Sequence, residues 1–133
     1  MEGRPDVPIE DIEYVTISQG EDDGPKTAKE EVINNQDAYT SFFDGSPPNT
    51  PDVNWEEEMV VAVALGERSS GGYSVEITSI KHHTTGPTQG SVEIRYVERV
   101  PSDLSTDPIT CPYHAIKCQR VGYRYDFIHA TDG

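Results

Sequence analysis

Alternation of apolar and polar residues with a period of two dominates the second half of the chain. In "YSVEITSI", Tyr73, Val75 and Ile77 fall on one side and Ser74, Glu76 and Thr78 on the other, as in a half-buried strand. "SVEIRYVERV" repeats the pattern, with Val92, Ile94 and Tyr96 inward and Glu93 and Arg95 outward. "VGYRYDFIHA" sets Tyr123, Tyr125 and Phe127 against Arg124 and Asp126. "EMVVAVALG" does not alternate; a short, continuous, Val-rich apolar run predicts a central strand buried on both faces. "CPYHAIKC" reads as an extended strand opened by Pro112, and "IEDIEYVTISQG" as a strand over residues 10–18 that stops at Gly20. "AKEEVINN" mixes helix-favouring glutamates with Val32 and Ile33, and reads as a short strand ending at Asn34. One helix is predicted: Asn35 caps "QDAYTSFFD", Ala38, Tyr39, Phe42 and Phe43 share a face, and Gly45 ends it.

Turn chemistry separates these runs. "SPPNTPDVNW" is excluded from regular structure by its prolines and reads as a surface connection. "KHHTTGPTQG" and "PSDLSTDP" read as loops. The Gly-rich stretch between Leu65 and Ser74 is expected to be a hairpin connection, its glycines supplying positive-φ positions and Arg68, Ser69 and Ser70 facing water at the tip. About seven short strands and one helix, with connections too short for crossovers, predict an α+β fold. It is mostly antiparallel β, a small barrel or sandwich with one short helix. Residues 1–8, with Pro5 and Pro8, read as a flexible tail, and 9–133 as a single domain for a chain of 133 residues.

Charge changes the picture. Asp plus Glu number 24 against 10 Lys plus Arg, a net charge of -14. Apolar residues, at 34%, are sparse for a globular chain, yet the alternating runs argue against a disordered polyanion. An acidic surface suited to high salt, a halophilic habit, explains the imbalance; a plainly acidic protein is the alternative. Duplex nucleic acid and anionic membrane are poor partners, and no nucleic acid is expected, since phosphate binding needs a basic patch and none is visible. No apolar run reaches the roughly 20 residues that span a bilayer, so no membrane insertion is expected. The opening "MEGRPDVPIE" does not resemble a signal peptide.

Candidate chemistry is thin. The Gly-rich stretch is not a phosphate cradle, because Gly71 is followed by Gly72 and Tyr73 rather than by Lys and Ser or Thr. His82 and His83 are neighbours and point different ways, and His114 and Cys118 lie roughly 13 Å apart on a strand, too far to share a zinc ion. Neither a metal nor another cofactor is expected. Cys111 and Cys118 lie roughly 23 Å apart on an extended strand and cannot pair with each other. No Gly-x-Ser-x-Gly elbow is present. Glu56, Glu57 and Glu58 read as a solvated face and Trp55 as a core plug.

Three segments together resemble a known family. "VNWEEEMVVAVALGERSSGGYSVEI" is similar to the signature of the PrcB C-terminal domain: an aromatic lead-in, an apolar strand, a Gly-x-Arg-x-x-Gly-Gly-Tyr loop and an alternating strand. "YVERVPSD" and "CPYHAIKC" resemble its two later blocks. The resemblance spans about residues 10–120, with Ser69 and Ser70 standing where Pro and Thr are common. The family is named for a subunit that stabilises a surface protease complex, and other members are bacterial proteins that are often exported or lipid-anchored.

That resemblance implies a non-catalytic module that binds protein, with an exported protease complex as its setting; a monomer is expected. The matching positions are Gly66, Arg68, Gly71, Gly72 and Tyr73 in the loop and Pro112, Tyr113 and His114 in the strand opening. Gly66, Arg68, Ser69, Ser70, Gly71, Gly72, Tyr73, Tyr113 and His114 are the partner-binding candidates. The alternative is a protease inhibitor acting through residues 66–73, since "SSGGY" is similar to the loop of chagasin-type inhibitors, although an Arg-Pro-Trp block is lacking. An enzyme is not expected.

Overall fold

The computed structural model describes residues 9–20, 24–47, 51–68, 73–86, 89–100, 109–121 and 124–132. The tail at 1–8, the loop at 101–108, Tyr123 and the loop residues Ser69, Ser70, Gly71 and Gly72 lie outside them. In chain order the elements are β1 (Ile9–Asp11), β2 (Tyr14–Gly20), β3 (Lys29–Ile33), α1 (Gln36–Phe42), β4 (Glu58–Ala64), β5 (Ser74–Gly86), β6 (Gln89–Arg99), β7 (Tyr113–Gln119) and β8 (Tyr125–Asp132). They form two four-stranded sheets, ordered β1-β5-β6-β8 and β2-β7-β4-β3, packed as a sandwich. All strand pairs are antiparallel except β6 with β8.

The unbroken apolar run of β4 has its explanation in three layers. Met59, Val61 and Val63 point into a core shared with Val75, Ile77, Ile80, Ile94 and Ile116 between the sheets. Val60, Ala62 and Ala64 point the other way, into a second core closed by Tyr39, Phe42 and Phe43. A strand with protein on both faces has no polar side to alternate with, and each of its large side chains gains roughly 1.5–3 kcal/mol from burial. The helix predicted at Asn35 is present, and the Asn35 side chain accepts from the Ala38 N–H at 2.7 Å, capping the first turn. Trp55 packs on the helix-side core.

The outward side of β5 and β6 is polar and carries ion pairs, Arg99 with Glu76 at 2.8 Å and Arg95 with Glu93 at 2.8 Å. Such half-exposed pairs add little to stability; these strands alternate because one face is solvated, whereas β4 is covered on both.

Three expectations are corrected. The strand read over residues 10–18 is two strands in different sheets, β1 on β5 and β2 on β7, joined across the sandwich at Ile12, whose side chain is buried and whose N–H donates to Ile80 O at 2.8 Å. The stretch 81–90, read as a loop from its Gly, Pro and Thr content, continues the β5–β6 ribbon to Gly86 and Gln89, because ladder pairing over the whole length overrides local turn preference. The Gly-rich connection is not a hairpin: β4 and β5 lie in different sheets, and the segment carries the chain from one sheet to the other.

Candidate functional site

The root of the Gly-rich connection is held by backbone geometry and by one arginine. Gly66 sits at φ 78°, and a Cβ there would lie 2.8 Å from the Ala28 amide nitrogen. Both the left-handed backbone and the close approach demand glycine. Gly66→Ala is therefore expected to cost about 2–3 kcal/mol, read as a lowered denaturant midpoint at unchanged slope; a loss below about 0.5 kcal/mol would contradict this.

Two residues on, Arg68 and Thr110 exchange backbone hydrogen bonds at 2.8 and 3.0 Å. The Arg68 guanidinium donates through Nε to Glu98 at 2.9 Å and through Nη1 to the Leu65 and Glu67 carbonyls at 2.9 and 3.2 Å. It also lies 5.8 Å from the Tyr73 ring centroid. Arg68 was expected at a water-facing tip; instead it is a brace, because a buried carboxylate on β6 captures it.

That carboxylate, Glu98, is 7% exposed. It accepts from Arg68 on one oxygen and faces His129 Nε2 at 3.0 Å on the other. Burial acts to raise its carboxyl, but the hydrogen bond and charge of Arg68, then those of His129, outweigh it and hold the group below the usual carboxylate range. The His129 ring stacks on Tyr96, with centroids 4.8 Å apart and planes 16° from parallel. The Tyr96 hydroxyl crosses to the other sheet and donates to Glu30 of β3. Burial, reinforced by that carboxylate, pushes the Tyr96 phenol well up.

Glu30, Arg68, Tyr96 and His129 line a cleft of about 310 Å³ where β3, the end of β4, β6 and β8 meet, with Ala28, Ala64 and Leu65 as its apolar wall; Glu98 lies behind Arg68 and His129. The alternation of β6, continued one step past Val92, Ile94 and Tyr96, places Glu98 inward, and that of β8 puts the exposed His129 on the same side as Tyr125 and Phe127. This was the available signal, a charged residue at an inward position. Glu30 had none, since its meeting with Tyr96 joins positions 66 residues apart.

Tyr113 and His114 lie elsewhere, inside the protein. Tyr113 is 2% exposed, its hydroxyl 2.5 Å from Ser18 Oγ and its ring edge-on to Phe43. His114, 3% exposed, accepts from the Ile77 N–H at Nδ1, 2.9 Å, and so donates from Nε2 to Thr16 Oγ1 at 2.8 Å. Beside it, the Tyr14 hydroxyl donates to Ile77 O at 2.9 Å and Gln19 to Val75 O at 3.0 Å. Side chains of the second sheet thus satisfy the edge of β5 beyond β1, next to a bulge at Ile77–Ser79. Burial lowers the His114 imidazole below its ordinary value of 6.5, against a weaker opposing pull from Glu76. As partner-contact residues Tyr113 and His114 are corrected: they rivet the fold. Pro112 is buried beside them.

Residues 59–119 match the PrcB C-terminal family. No curated protein and no solved structure matches the chain. The matched segment runs from Met59 in β4 through β7 and contains Gly66, Arg68, Glu98 and the His114–Ile77 bond. It leaves out β1–β3, α1 and β8, so His129 and Glu30 complete the cleft from outside it. Among the described residues, no group of three or more His, Cys, Asp or Glu side chains could hold a metal ion, and no helix is long and apolar enough to cross a membrane.

Proposed function

We propose that this chain is a non-catalytic protein-interaction module that assists the assembly or stability of a protease complex, presenting the connection between β4 and β5 to its partner. The observation that supports this reading is the brace at the connection's root. Gly66, the Arg68–Thr110 bridge and the Arg68–Glu98 ion pair hold the start of the segment against both sheets. A loop carried on a rigid base loses less conformational freedom on binding, which favours affinity. Tyr73, half-buried against Arg68, marks the far end of the same segment.

Arg68 is unsuitable for testing this, because its loss would disturb the fold. The informative variant is Ser69→Glu with Ser70→Glu, compared with the parent in affinity capture from an extract of the source cells, circular dichroism confirming equal folding. Retention of a specific protein by the parent, lost by at least tenfold in the double variant, is expected. Equal capture by both, or none by either, would overturn the assignment. Inhibition of a protease by the parent alone would assign the loop to inhibition instead.

A further inference from the structure

We propose that the cleft between β3 and β8 is a subsite for one arginine side chain presented by the partner protein. This rests on the reading of the chain as an interaction module and names the chemistry of the residue that docks. The cleft, at about 310 Å³, stands at the lower end of the roughly 300–1,000 Å³ of small-molecule sites, a size for one long side chain.

Its charges are unequally compensated. Arg68, in the wall, is paired with Glu98 behind it. Lys29 turns its ammonium away toward the end of α1, bonding Phe42 O at 3.0 Å and Asp44 at 3.2 Å. Glu30, exposed at the rim, accepts the Tyr96 hydroxyl on Oε2, and among the described residues nothing hydrogen-bonds its Oε1. A carboxylate with spare acceptor capacity therefore faces the cleft in a chain of net charge -14.

The remaining walls suit an arginine. Leu65, Ala64 and Ala28 offer apolar surface to an aliphatic stem. His129, one ring face stacked on Tyr96, lines the same cleft as Glu30, so a planar guanidinium would layer on its other face with its fork turned to that carboxylate. An ammonium would match the charge and lose the planar contact.

The test uses the whole chain and a defined probe, Nα-acetyl-arginine amide, titrated while backbone amide NMR shifts are followed. Saturable shifts at Leu65, Arg68 and His129 with low-millimolar affinity are expected, the range for one side chain without its protein context. The citrulline and lysine analogues should bind at least about fivefold more weakly, as the planar charged fork requires. Glu30→Gln, which keeps an acceptor for Tyr96, should reduce binding at least about fivefold, whereas Glu31→Gln, the same change of net charge, should not. Ala28→Phe, filling the cleft from its exposed rim, should abolish it. Absence of saturable shifts, equal binding by Glu30→Gln, or equal binding of putrescine, a general cation, would each overturn the proposal. Because the probe needs no partner, its failure beside successful capture would reject the subsite and leave the module reading in place.

Discussion

Arg68→Ala is expected to destabilise the protein by about 3 kcal/mol, the largest single effect outside the apolar cores. The substitution removes the Nε bond to Glu98 and the Nη1 bonds to Leu65 O and Glu67 O, and leaves a carboxylate that is 7% exposed with His129 alone. A buried charge without its partner costs more than the pair contributed, so Glu98→Gln in the Arg68→Ala background should restore roughly half of the loss. The pH dependence gives a second reading. In the parent Glu98 titrates below 4.5, so its contribution is present above 4.5 and fades as pH falls through the folded value. Without Arg68 only His129 is left to offset burial, so the carboxyl rises relative to the parent and its ionised form is less favoured at neutral pH, a penalty that acid relieves. The gap between parent and variant in urea melts should therefore narrow from pH 7 toward about 4. A constant gap would mean that Arg68 acts through packing alone.

The second large effect is an acid sensitivity set by His114. Its folded value lies below 6.5, so the unfolded chain binds the proton more readily. Stability from this group is complete above 6.5 and is lost as pH falls below it, with a slope approaching about 1.4 kcal/mol per pH unit until the folded value is reached. Protonation would also put a donor at Nδ1, where Ile77 N–H already donates. His114→Gln keeps a neutral acceptor and donor, so it should cost little at pH 8, about 1 kcal/mol, and remove this slope. His82, His83 and His129 remain in both proteins, so the difference between the two curves isolates His114. Parallel curves between pH 6.5 and 5 would sink the assignment.

Both effects concern residues whose types were visible in the chain and whose roles were not. Arg68 stands beside serines and glycines, which is the composition of a water-facing tip, and only the fold brings β6 to it. Tyr113 and His114 open a strand after a proline and look available to a partner. Their burial follows from β7 lying between β2 and β4, with α1 on one side and β5 on the other. The hairpin reading of the Gly-rich connection failed for a related reason. Alternation reports how many sides of a strand are covered, and it does not report which sheet the next strand joins.

The sequence by itself determined the local elements. Asn35 before an apolar stripe made a capped helix, the alternating runs of β5 and β6 made strands with one wet face, and the continuous run of β4 made a strand covered on both. These depend on hydrogen bonds and burial patterns between near neighbours, which the order of residues encodes directly. The tertiary structure alone decided that Ile12 crosses between the sheets, that Arg68 meets Glu98, and that Glu30 and Tyr96 close one side of a cleft. Each such meeting joins residues tens of positions apart. Its energy comes from a contact or hydrogen bond that exists only once both partners are brought together, which neither local stretch contains.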